Sequence, residues 1–198
     1  MEPEPRIHFL TVNRRLASGF LAAAALAGAA SVSAKVFLTQ DEALKLAFPG
    51  AAVEHRTAFL TAGQRQEARR LSGDEELPGA LVNFYVARKD GAETGTAYFD
   101  THVVRTMPET IMVVVGPDGA IARVEVLSFL EPEEYLPRPR WYEQFRGKPL
   151  DDDLSTKRGI HPVTGATLTT RATTDAARRV LALHRILHPP APTRTAPR

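Results

Sequence analysis

The sequence predicts an α+β fold: a single domain with a mainly antiparallel sheet and flanking helices, preceded by a signal peptide. Three observations predict it. Threonine-headed capping boxes open two helices early in the exported part. Two strongly apolar strands are joined by the tight turn Pro117-Asp118-Gly119. An amphipathic helix then closes the pattern, with Ala172, Ala176, Val180, Leu183 and Leu187 at helical spacing.

Residues 1–34 read as a signal peptide outside the fold. Arg6, Arg14 and Arg15 supply positive charge, and Leu16 to Ala34 carries none. Val32-Ser33-Ala34 is a small-residue cleavage pattern. An uncleaved anchor is the competing expectation, because a bilayer span needs about 20 apolar residues. Either way the working part is expected in the periplasm or otherwise outside the cytoplasm. It runs over residues 35–188, and the proline-rich stretch 189–198 reads as a disordered tail.

Thr39 and Glu42 form the first capping box, and the helix DEALKLAF stops at Pro49-Gly50. VEHRTAFL reads as a short strand. Thr61 and Gln64 repeat the capping logic before the polar helix GQRQEARRL, which stops at Ser72-Gly73. ALVNFYVARK and TGTAYFDTHVV pair across Asp90-Gly91. ETIMVVVG and AIARVEVLSFL are the strongest strands. In the second, Ile121, Arg123, Glu125 and Leu127 alternate with Ala122, Val124, Val126 and Ser128, which predicts one buried face. EPEEYLPRP breaks regular structure, RWYEQFRG suits a short helix, and Asp151-Asp152-Asp153 reads as a solvated loop. The last helix is expected from Thr170, with Arg178 and Arg179 on a solvated face.

Composition narrows the function. The formal charge is +2 with scattered Lys and Arg, so no nucleic-acid partner is expected. The 198 residues contain no Cys, which excludes disulfides, thiolate-held iron–sulfur clusters and thioether-attached haem. No HExxH pattern joins His55, His102, His184 and His188, and no metal site is expected. Neither a P-loop nor a GxGxxG fingerprint is present, so nucleotide hydrolysis and dinucleotide binding are not expected.

One stretch stands apart. HPVTGATLTTR, residues 161–171, gathers Thr164, Thr167, Thr169 and Thr170 around Gly165-Ala166 at the mouth of the last helix. A helix start exposes unpaired N–H groups and partial positive charge, which suits a phosphate. Gly165 permits close backbone approach or positive φ. Threonine hydroxyls can donate to phosphate oxygens or be esterified by phosphate. An ordinary turn with a threonine N-cap would leave the same trace.

VTGATLTTRA resembles the [S/T]GAT[L/V]T motif of the FMN-binding domain family. Members occur in peripheral subunits of the sodium-translocating NADH:quinone oxidoreductase and the Rnf complex, and in small exported flavoproteins. The resemblance implies that Thr167 carries FMN through a phosphoester bond, with Thr164, Gly165, Ala166, Leu168 and Thr169 at the flanking motif positions. It extends upstream through VVVGPDGAIARVEVLSFLEPEEY, where Glu131 matches the family's Glu after the second strand, although Pro132-Glu133-Glu134 replaces the usual Thr-Pro-Gly. His161 stands where the family usually has Asp. The implied partners are an FAD-dependent flavin transferase that attaches the cofactor and redox proteins at or near the membrane. The expected function is an exported electron carrier; the alternative is a non-redox binding or structural module with Thr167 left free. Tyr135, Trp141 and Tyr142 are candidates to lie against the flavin or to close the sheet. Arg105 is a candidate for phosphate or flavin, or for a surface ion pair with Glu109 or an Asp.

Overall fold

A computed structural model describes residues 35–74 and 79–189. The expected signal peptide and nearly all of the expected tail lie outside these residues. The elements run β1 (Lys35–Val36), α1 (Gln40–Ala47), β2 (Ala52–Phe59), α2 (Ala62–Ser72), β3 (Leu81–Lys89), β4 (Ala92–Val103), β5 (Pro108–Val115), β6 (Ile121–Phe129), α3 (Pro139–Tyr142) and α4 (Thr167–Leu187). Short 3₁₀ turns occupy Glu133–Tyr135 and Glu143–Phe145. All pairings are antiparallel in one six-stranded sheet of order β1-β6-β5-β4-β3-β2.

Local chemistry sets the elements. Both capping boxes form: Thr39 with Glu42, and Thr61 with Gln64, each side chain bonding the other's backbone N–H. Asp90 and Gly91, with φ of 52° and 81°, make the two-residue turn between β3 and β4. Positive φ at both central positions matches the turn's twist to that of its strands. At the β5–β6 turn the Asp118 carboxylate accepts the Ala120 N–H at 3.1 Å.

Both faces of the sheet are covered. On one, α4 and α2 pack over Phe84, Tyr98, Ile111, Val113, Ile121 and Val124. On the other, α1 packs over Ala97, Met112, Val114 and Leu127. Central β5 therefore buries alternate residues into both cores, and each large side chain so buried contributes roughly 1.5–3 kcal/mol.

Double coverage corrects the one-faced expectation for β6. A register shift sets Val115 opposite Ile121 and Val114 opposite Arg123, so Ala122 is an extra residue. Ile121 thereby joins Val124 in the α4 core, while Leu127 enters the α1 core.

α4 begins at Thr167, three residues earlier than expected. The expected solvated face of Arg178 and Arg179 is also corrected. Arg179 is 8% exposed, donating to Asp100 at 2.8 and 3.2 Å and to Asp74 at 2.5 Å. Arg178 is half-buried and donates to the carbonyls of Ser72 (2.9 Å), Asp151 (2.6 Å) and Leu154 (3.1 Å). Their guanidinium groups reach over the helix to α2, β4 and the 151–154 loop, satisfying polar groups that α4 would otherwise bury unpaired. Asp151, Asp152 and Asp153 are exposed, as expected.

Candidate functional site

The threonine segment opens α4. Its N-cap is Ala166, which has no side chain able to cap, so no threonine performs that role. The first helical bond runs from the Thr170 N–H to the Ala166 carbonyl at 2.9 Å. The N–H groups of Thr167, Leu168 and Thr169 precede it and lie at the positive end of the helix. Gly165 has φ of 88°, and a Cβ there would meet nothing within 4 Å. Its role is conformational, because non-glycine residues rarely adopt this backbone.

The threonines divide by environment. Thr169 is 1% exposed and donates its hydroxyl to the Tyr135 carbonyl at 2.7 Å. Thr170 is fully buried and donates to the Thr167 carbonyl at 3.0 Å. Thr164 and Thr167 are exposed, and among the described residues no hydrogen bond engages either hydroxyl.

A cleft of about 210 Å³ lies beside them, lined by Arg105, Tyr135, Gly165, Ala166, Thr167, Leu168 and Thr169. None of these residues is acidic. The Arg105 guanidinium lies 4.8 Å from the centre of the Tyr135 ring. The alternative of a surface ion pair between Arg105 and Glu109 or an Asp is not seen among the described residues, and Glu109 is fully buried. Larger clefts exist. One of about 920 Å³ runs past Asp74, Asp100, Arg171, Asp175 and Arg179, but its buried Arg179 and Asp100 already pair with each other. The small cleft is chemically distinct in offering a cation and a free hydroxyl with no carboxylate.

Glu131 stands one step behind this cleft. Its Oε1 accepts the backbone N–H groups of Arg105 (3.2 Å), Thr106 (2.7 Å) and Met107 (2.8 Å), with the Thr106 hydroxyl at 3.3 Å. The Thr106 N–H foremost holds its carboxyl below the ordinary carboxylate range. Glu131 thus fixes the turn that carries Arg105. His161 is exposed and attached through its backbone: its N–H donates to Gln144 at 2.9 Å, and its carbonyl accepts the Trp141 indole N–H at 2.7 Å. Of the aromatic candidates only Tyr135 lines the cleft; Trp141 and Tyr142 are 6% and 7% exposed in the core.

Sequence reasoning missed a buried charge network under α4. His102 sits between Asp100 at 2.9 Å and Glu109 at 3.0 Å. Burial opposes charge on the ring, but the two carboxylates outweigh it and push the His102 pKa up to about 9. Glu109, fully buried, also accepts the hydroxyls of Thr173 (3.0 Å) and Tyr142 (3.5 Å). The available signal was cross-strand: His102 lies directly opposite Glu109, an acid in a strand otherwise apolar beyond Thr110. Near the end of α4, His184 and His188 stand one turn apart and stack at 4.6 Å, and His184 bonds the Tyr98 hydroxyl at 3.1 Å. Burial, with His188 adding to it, pushes the His184 pKa down to about 4. Among the described residues no three His, Cys, Asp or Glu side chains are grouped to hold a metal ion.

The donor set suits a phosphate ester: an exposed hydroxyl, a guanidinium, a helix start and no acid. A cleft of this size takes a phosphate and the near end of a ribityl chain, since whole small-molecule pockets run to about 300–1,000 Å³. Residues 107–182 match the sequence profile of the FMN-binding domain. No curated protein and no solved structure matches the chain.

Proposed function

Residues 107–182 match the FMN-binding domain, and on that premise we propose that the chain carries FMN covalently on Thr167 and relays electrons outside the cytoplasm. The observation that carries the reading is the state of the Thr167 hydroxyl. Among the described residues it is exposed, uncommitted and part of the cleft lining, whereas Thr164 is equally free but does not line the cleft, and the buried hydroxyls of Thr169 and Thr170 are engaged by backbone carbonyls. Thr164 and Thr169 flank it, and Glu131 supports the opposite wall.

Attachment joins Thr167 Oγ1 to the FMN phosphorus of FAD, breaks the pyrophosphate bond and releases AMP, with the hydroxyl proton going to solvent. A separate Mg²⁺-dependent transferase supplies the catalysis, and this chain supplies the acceptor. When bound, the flavin supplies the redox chemistry, and the protein positions it and tunes its environment. A covalent bond keeps the cofactor in place where free flavin is too dilute to fill a dissociable site. The cleft holds too little for the isoalloxazine rings, which favours a flavin reachable by partner proteins.

The test is intact-mass spectrometry of protein co-produced with the transferase. The expected result is a gain of roughly 438 Da, FMN less water, on the peptide containing Thr167. An unmodified mass, in cells where a sister domain is labelled, would instead favour a binding or structural module that leaves Thr167 free.

A further inference from the structure

We propose that Arg105 is the positioning residue for the flavin phosphate, with the Tyr135 ring as the support that aims its guanidinium into the cleft beside Thr167. This rests on the proposed attachment at Thr167.

The argument begins with charge. The cleft's lining contains one cation, Arg105, and no carboxylate. A phosphodiester carries a negative charge, and two N–H groups of one guanidinium suit its oxygens. Among the described residues Arg105 enters no ion pair, and Glu131 bonds its backbone N–H, not its guanidinium. The guanidinium is therefore available to a ligand.

The second support is construction. Arg105 lies on a connection between strands, where a long side chain would ordinarily be loosely placed. Here Glu131 takes three successive backbone N–H groups, from residues 105 to 107, on a single carboxylate oxygen. The guanidinium then rests 4.8 Å from the Tyr135 ring centre, a cation–π contact that limits its rotamers. Tyr135 is itself tied to α4, because its carbonyl accepts the Thr169 hydroxyl at 2.7 Å. Backbone, ring and helix start form one connected wall around the Thr167 hydroxyl.

Arg105→Gln, Arg105→Lys and Tyr135→Leu test it, each co-produced with the transferase and followed by intact mass over time and by ³¹P NMR of the attached phosphodiester. Arg105→Gln is expected to slow attachment roughly tenfold and to shift the ³¹P resonance, with Arg105→Lys restoring much of both. Tyr135→Leu should move both readouts in the same direction by less. A resonance unchanged in Arg105→Gln overturns the proposal, even if attachment slows, because the transferase would then be reading Arg105 from outside. Should wild-type protein itself stay unlabelled, it is the attachment at Thr167 that fails. Arg105 is then tested alone by the ³¹P linewidth of inorganic phosphate added to the bare protein. Broadening that Arg105→Gln abolishes supports the anion site, and none in wild type overturns it.

Discussion

The Trp141 indole N–H donates to the His161 carbonyl at 2.7 Å, so the first residue of the threonine segment is held by its main chain and not by its imidazole. His161→Asp should therefore leave stability within about 0.5 kcal/mol and flavin attachment undiminished. Trp141→Phe keeps a buried ring but removes the donor, and should destabilise by about 1–2 kcal/mol. Urea midpoints and intact masses of both variants check this. Reduced labelling in His161→Asp would show that the imidazole itself is read.

Thr167 is exposed at the first position of α4, and among the described residues its hydroxyl has no hydrogen-bond partner. Thr167→Ala should lose the whole flavin mass with a stability change within about 0.5 kcal/mol. Thr167→Ser should keep the flavin. A labelled alanine variant would move the attachment to another residue.

Gly165→Val should strain the loop whatever space surrounds it. With φ of 88° and nothing within 4 Å of the added Cβ, the penalty is conformational, roughly 1–3 kcal/mol. Thermal melts are expected to shift down and attachment to slow. A variant that melts and labels as wild type would mean the turn relaxes freely.

Two histidines with opposite shifts predict a stability maximum near pH 6–7. The His102 pKa, about 9 when folded, lies above an unfolded value of about 6.5, so its contribution is complete below about pH 6.5 and is lost as pH rises through 9. The His184 pKa, about 4 when folded, lies below that reference, so its contribution is present above about pH 6.5 and is lost as pH falls through 4. Each full swing is on the order of 3 kcal/mol. Urea midpoints from pH 4 to 10 should trace the dome, with His102→Gln flattening its alkaline limb. A flat alkaline limb in wild type would refute the His102 assignment.

Glu109→Ala strands a buried His102 cation beside Asp100 and leaves the Tyr142 and Thr173 hydroxyls without their acceptor. A loss of roughly 3–5 kcal/mol is expected. By contrast, Glu133→Ala removes an exposed ion pair with Lys35 and should change stability by under about 1 kcal/mol. Denaturant unfolding of the two variants side by side decides the matter, and equal effects would contradict the buried network.

Local rules were legible because they involve neighbours in sequence. Thr39 with Glu42, Thr61 with Gln64, and Asp90-Gly91 each act within a few residues, and each formed as read. The stretch 107–182 that matches the FMN-binding domain includes the threonine segment the sequence singled out. What escaped depends on partners far along the chain. Arg179 looked solvated because nothing near it in sequence announces Asp74 and Asp100. Glu131 was weighed as a flavin contact, but its Oε1 serves residues 105–107, about 25 positions upstream. The β6 bulge at Ala122 was hidden because alternation alone cannot register an extra residue.

The cleft beside Thr167 draws its walls from residue 105, residue 135 and residues 165–169. The last of them opens α4, so the recess exists only where that helix is packed on the sheet. A chain halted short of that helix, or with the helix undocked, has no such recess to offer, so a maturation enzyme that recognises the recess would pass over unfinished copies and mark only completed ones.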